Sequence, residues 1–454
     1  MPRLATCAAA LAVCVIGAGT AVAQQPAPTT PTTPTAPTTP TPAAGPPKLT
    51  SLRLPATVSA QQGHARFLVG VKLSTPAKLT VQVLSAAGKV VQARTDAANR
   101  KAGRSYLRVE AVDTRGFQML QGSYTVRIQA TDAQGRTSNA LQGPFRLKLT
   151  TPRGLFDAYT IPLWRAFRRQ AGTTTPGQLV TVVGPKGVVA VAGLRRGDVI
   201  TSLNGTSVAR PGAWQTALRA LPAEKAVEIQ YVRKGQVVTA SIQPKPDWEP
   251  APDYAKSLAV AVKRNPKVVA YGVAQARQLI DAGKLADAKA VVDAWPAVWG
   301  TTAPGQLVQG DLEAKAGRWK QALGFYNRAR KKDATLAAAE FGRGLALSEL
   351  KKTNPAIVAF GAAATLDPTD ASAFGFRAYA LLQADRNTDA LAAARQAVAL
   401  DPRYADGFVP FGIALIATGD KAAGVKALRR GLVLLEEPAR ADQLIAQHLD
   451  PTDP

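Results

Sequence analysis

Small residues return every 34 positions through the C-terminal part of this 454-residue chain. Ala276, Gly310, Gly344, Ala378 and Gly412 share one phase, and Ala288, Ala322, Ala356, Ala390 and Gly424 share another. Asp367-Pro368 and Asp401-Pro402 keep the same spacing, with Asp333-Ala334 one period earlier. A fixed period of this length means one two-helix unit repeated, each unit too small to bury its own apolar face, so that neighbours must stack into a solenoid. Small residues are needed where paired helices cross closely, and proline ends the second helix. Five units fit, starting near residues 269, 303, 337, 371 and 405. Pro410 and Gly431 make the last one irregular, as terminal units tend to be.

With Tyr326 and Phe360 at its aromatic position and Ala329, Ala363 and Ala397 at the next small one, the pattern resembles the tetratricopeptide repeat (TPR). The resemblance covers residues 269–438, ahead of a tail at 439–454. It implies an all-α superhelix whose inner surface comes from the first helix of each repeat: Val273, Ile280, Leu307, Phe341, Leu345, Tyr379, Leu382, Val409, Ile413 and Ile416. TPR arrays that clamp acidic C-termini carry Lys, Arg and Asn there, and these are largely missing. An apolar groove suits a hydrophobic helix or an extended peptide. The same residues also suit packing between repeats, and the sequence leaves both readings open.

Residues 48–150 change character to short alternating stretches broken by turns every 8 to 12 positions, which predicts an all-β sandwich. In 77–84, Leu79, Val81 and Val83 face one way and Lys78, Thr80 and Gln82 the other. The stretch from Ser74-Pro76-Ala77 through Ala87-Gly88-Lys89-Val90-Val91 to Gly122, Tyr124 and Asp132-Ala133-Gln134-Gly135-Arg136 resembles the FlgD-type Ig-like domain. That implies a fold, used as a spacer or adhesion module, more than an activity.

Between the two, residues 151–248 carry Ala192-Gly193-Leu194-Arg195-Arg196-Gly197-Asp198-Val199-Ile200, then Leu203-Asn204-Gly205 and Val208. The glycines suit tight turns, and the apolar positions suit short strands of a core. A helix is predicted over Pro211–Leu221 and a hairpin over Val227–Ile242, turning at Lys234-Gly235. The segment resembles the PDZ domain of HtrA-family proteases, an α+β fold. The resemblance implies a ligand C-terminus added as a strand after a carboxylate loop, here Arg153-Gly154-Leu155-Phe156, with the strand running from Asp157 to Ile161. Ala213, Ala217 and Leu221 would form the helical wall. The family's second loop glycine is absent, and Asp157 sits where its charge would repel a carboxylate. A short helix over Pro162–Gln170 brings Arg165, Arg168 and Arg169, either a substitute anion site or a solvated face. A connecting helix over 249–268 leads into the repeats.

The first 23 residues have the parts of a secretory signal: Arg3, an apolar stretch from Ala8 to Ile16, and small residues up to Ala23. Retention as an anchor, or lipidation at Cys14, are the alternatives, and only these would tie the chain to a membrane. Residues 24–47 are almost wholly Pro, Thr and Ala, an extended linker. The only cysteines, Cys7 and Cys14, lie in the signal, and the only histidines are His64 and His448. No disulfide, metal, cofactor or nucleophile–base constellation is therefore expected, and no protease domain precedes the PDZ-like segment. Of the net charge of +25, residues 48–150 hold 16 basic against 4 acidic residues. The expected function is a non-catalytic, exported scaffold, periplasmic or otherwise envelope-associated, binding envelope proteins or peptides. Two alternatives are an accessory that presents substrates to an envelope protease and a basic adhesion protein on an anionic envelope polymer. Nucleic acid is not an expected partner.

Overall fold

A computed structural model describes residues 45–60, 65–96, 99–112, 119, 121–149, 154–184, 187–246, 254–435, 440 and 444. The signal segment, most of the linker, His64, His448 and Arg153 lie outside them.

The N-terminal unit is a sandwich of two sheets. One holds β1 (Leu49–Arg53), β3 (Arg66–Leu73) and β6 (Gly103–Glu110). The other runs β2 (Thr57–Ala60), β8 (Leu141–Leu149), β7 (Gly122–Thr131), β4 (Lys78–Ser85) and β5 (Val90–Thr95), antiparallel except where β2 pairs β8. Alternation does the sorting: Phe67, Val69 and Val71 of β3 and Leu79, Val81 and Val83 of β4 point into one shared core with Val126 and Ile128.

The second unit orders its sheet β10 (Ala158–Pro162), β11 (Gln178–Val183), β12 (Val199–Leu203), β14 (Val227–Arg233) and β15 (Gln236–Ile242), with β13 (Thr206–Ser207) on β12. A separate pair joins β9 (Gly154–Leu155) to β16 (Lys245–Pro246). Its helices are α1 (Arg168–Ala171), α2 (Val188–Val191) and α3 (Pro211–Ala220). The β14–β15 hairpin turns through Lys234 and Gly235, both at positive φ, as a tight two-residue turn requires. Asp198 fixes the Gly197 turn: its carboxylate accepts from the Arg195 amide at 2.7 Å and takes a fork of two bonds from Arg233 on β14. The helix expected over Pro162–Gln170 is shorter than predicted. Pro162 completes β10, whose pairing to Gln178 holds it extended, and only a 3-10 turn at Arg165–Phe167 and α1 follow.

After α4 (Tyr254–Arg264) come paired helices: α5 (Val269–Asp281) with α6 (Leu285–Asp293), then, past the short α7 (Ala297–Gly300), α8 (Ala303–Lys315) with α9 (Trp319–Lys332). Next are α10 (Ala337–Glu349) with α11 (Thr353–Leu366), α12 (Ala371–Leu382) with α13 (Asn387–Leu400), and α14 (Ala405–Ala417) with α15 (Lys421–Leu434). Both helices of every pair start 34 residues after their predecessors. The small residues explain this regularity: a side chain at Gly310 or Gly342 would run into the buried ring of Tyr326, and one at Gly344 into Phe360. No helix among the described residues is long and apolar enough to cross a membrane.

Candidate functional site

The inner face of the first repeat is not open. Val273 and Ile280 lie on one face of α5, and Arg277 stands between them on that face. The guanidinium of Arg277 lies over the ring of Trp164, 5.5 Å from its centroid, so the segment after β10 covers this part of the array. Ile161, Leu163, Trp164 and Phe167 share a core with Val273, Ile280 and Leu307. Beside it the Tyr159 hydroxyl donates to Asp281 at 3.5 Å, and Arg196 lies over the ring of Tyr271.

Behind this contact Arg277 pairs with Asp311 at 3.7 Å, and the Tyr326 hydroxyl donates to the same carboxylate. Burial pushes the Asp311 carboxyl up to about 6, against the opposing pull of Arg277. Burial likewise raises Asp281 and Tyr159.

At the far end of the array, Arg440 donates to the Tyr379 hydroxyl at 3.2 Å and pairs with Asp406. Leu444 is fully buried in the same core. Between the two ends, Phe341 meets Phe376 edge to face at 5.3 Å and Phe360 at 5.6 Å. The predicted groove residues Val273, Leu307, Phe341, Leu345, Tyr379, Leu382 and Ile413 are all less than a tenth exposed. They are therefore corrected from an open lining to packing positions, because close helix stacking and the chain's own PDZ-like and C-terminal residues remove them from solvent.

In the second unit, β10 ends the sheet, and its outer edge has no strand partner among the described residues. The expected carboxylate loop differs from an open cradle. The Gly154 amide donates to Leu221 O at 2.7 Å, and its neighbour Leu155 pairs with Lys245. A side chain at Gly154 would lie 2.6 Å from Pro222 O, so the glycine serves close packing on the end of α3. Phe156 is half-buried and meets Trp214 of α3 edge to face at 5.2 Å. Asp157 does not confront a ligand: its side chain is buried and accepts from the Val189 amide at 3.2 Å. Of the helical wall, Ala213 and Ala217 are half-buried and Leu221 is buried. Arg165 and Arg169 are exposed, beside an open cleft of 580 Å³ lined by Arg168, Arg169, Gly172, Thr173 and Thr174.

Sequence reasoning missed the contact on the other side of α3. Its first turn abuts the inter-repeat edge: the Gly212 amide donates to Asp367 Oδ2 at 3.0 Å and the Ala213 amide to Thr369 Oγ1 at 3.0 Å. Arg210 donates to Leu366 O, and Arg219 pairs with Asp401 and lies over the ring of Tyr404. Arg403 donates back to Arg219 O. Asp367 and Asp401 are Asp residues of the 34-residue period: Asp367, with Thr369, satisfies free amides of the α3 N-terminus, and Asp401 takes the Arg219 guanidinium in its last turn. The sandwich joins the array as well, through Arg429 of α15, which lies over the Tyr106 ring and donates to its hydroxyl at 2.7 Å.

Among the described residues no group of three His, Cys, Asp or Glu could hold a metal ion. Residues 56–134 match the family model of the FlgD Ig-like domain, and residues 166–243 match that of the PDZ domain. The second match begins beyond Gly154, Leu155 and Phe156. Solved structures similar to part of the chain include MamA from Desulfovibrio magneticus RS-1, at 18% identity over 40% of this chain and 96% of that one, with a TM-score of 0.32. YrrB, described as a TPR protein with an unusual peptide-binding site, has 18% identity over 41% and 96%, with a TM-score of 0.33. A thermophilic TPR protein from Thermus thermophilus, TTC0263, has 22% identity over 36% and 89%, with a TM-score of 0.32. No curated protein matches.

The chain is a multidomain protein of an Ig-like sandwich, a PDZ domain and a TPR solenoid. PDZ and TPR domains are modules of protein–protein interaction.

Proposed function

We propose that the chain is a non-catalytic scaffold of the cell envelope that captures proteins or peptides, with its PDZ domain and TPR array working as one unit. The observation that carries this reading is the outer edge of β10, unpaired among the described residues, with α3 standing beside the same core, the two walls between which a PDZ domain takes an extended chain end. Export is the part supported by the pattern of the first 23 residues. The non-catalytic part is supported by the module types and by a histidine count of two.

The test is fluorescence anisotropy of the intact mature chain with labelled peptides that end in an apolar residue and a free carboxylate, against the same peptides amidated. Saturable binding that amidation abolishes is expected. Equal binding of both forms contradicts the reading.

A further inference from the structure

We infer that the inter-repeat edge of the TPR array is a latch on α3, and that this latch sets whether the PDZ groove can open. The inference rests on the peptide-capture reading above and adds its regulation.

Both walls of the groove are fastened to the array, at places far apart along it. The strand wall is held at the first repeat, through Tyr159 on Asp281 and Trp164 on Arg277. The helical wall is held at the loops that open the fourth and fifth repeats, through Asp367, Thr369 and Asp401. Within α3 the two sides have different duties. Trp214, Leu218 and Leu221 turn into the PDZ core, while Gly212 and Arg219, seven residues apart on another face, turn to the array.

The consequence is steric. Trp214 is 3% exposed and its ring stands against Phe156, so the space where a ligand's last side chain would enter is closed by the protein's own aromatic pair. Admitting that side chain requires α3 to move outward, carrying Trp214 with it. Outward lies the backbone of Thr369 and Asp370, packed so tightly on Gly212 that a Cβ there would collide with it. Interiors packed this closely do not yield continuously, so the helix has a latched and a released position rather than a range. A ligand that needs the released position binds with an affinity reduced by the fraction of chains already in it. Whatever moves the fourth and fifth repeats relative to the first therefore changes peptide affinity at a site it does not touch.

Gly212→Ala separates the latch from the PDZ fold, because alanine favours helix in α3 while its methyl group cannot fit against Thr369 and Asp370. Thr369→Ala removes the acceptor for Ala213 from the array side and leaves the PDZ sequence unaltered. Hydrogen exchange at the amides of residues 212 and 213 reports release in each variant without any ligand. The intact chain and both variants are titrated with the labelled free-carboxylate peptides and their amides. Faster exchange at these two amides with peptide binding tightened on the order of tenfold or more is the expected result. Released amides with unchanged or weaker peptide binding overturn the latch alone, as does unchanged exchange at both positions. No peptide binding by any of the three chains overturns the capture reading, and the latch as a gate falls with it.

Discussion

Phe360→Ala should loosen the middle of the array and free the PDZ helix at the same time. The Phe360 ring is fully buried, lies 5.6 Å from Phe341 and 5.8 Å from Phe376, and fills the space that glycine leaves at position 344. Truncating a buried phenylalanine costs about 3–5 kcal/mol, the lost transfer free energy plus the cavity left behind. In a solenoid each repeat touches only its neighbours, so the loss falls on α10, α11 and α12 rather than on the whole chain. The helix that carries Phe360 ends at Leu366, next to Asp367 and Thr369, which hold α3. Native-state hydrogen exchange should show opening of α10–α12 and of the first turn of α3 faster by roughly a thousandfold, taking about 4 kcal/mol at 1.4 kcal/mol per decade. Amides of β3 and β6 in the sandwich should keep their protection. Phe360→Leu, which retains most of the volume, should cost far less. An increase below tenfold, or one spread evenly over the sandwich and the array, would refute the reasoning.

The buried charges predict a pH dependence. The native Asp311 carboxyl keeps its proton to about pH 6 and the unfolded one loses it near 3.8, so the native chain binds more protons in that window and loses stability as pH rises through it. The loss is roughly 3 kcal/mol, present in full above about pH 6. Asp311→Asn should flatten the difference in array stability between pH 4.5 and 7 measured by urea unfolding, and an unchanged slope would remove Asp311 as its source. At the other end of the array, Arg429→Ala takes away both a cation–π contact and a hydrogen bond to Tyr106, together about 1–2 kcal/mol. Exchange of β6 amides should rise about tenfold, and no change there would mean that the sandwich is held to the array by other contacts.

Much of this architecture is legible in the sequence because its rules are local. Helix crossings demand small residues at Gly310 and Gly344, and the 34-residue phase that they set is the spacing between the starts of α5, α8, α10, α12 and α14. Period-two alternation places Leu79, Val81 and Val83 in the sandwich core for the same reason. The site is less legible because its deciding contacts join residues far apart in the chain. Asp367 reads as the turn residue of a repeat, and nothing near it announces the Gly212 amide that it accepts 155 positions away. Phe341 and Tyr379 read equally well as groove lining or as packing, since an apolar side chain carries no mark of which surface covers it. One signal was available: Arg277 is a charged residue between Val273 and Ile280, on a face otherwise apolar. A cation in that position implies a partner, and Trp164 and Asp311 are what it meets. Asp157 misled for a related reason, since a missing loop glycine suggests repulsion of a carboxylate until the fold turns the side chain back to cap α2.

The central claim, that the PDZ groove of this chain takes a free chain end, is tested most directly by one titration. Peptides with an apolar last residue, labelled at the N-terminus, are titrated with the intact chain, and the matched amides serve as the comparison. The account predicts saturable binding by the free carboxylates, loss of that binding on amidation, and exchange protection appearing along the outer edge of β10, among the amides of residues 158–161. Binding that is indifferent to the carboxylate, or that leaves β10 unchanged, would contradict it.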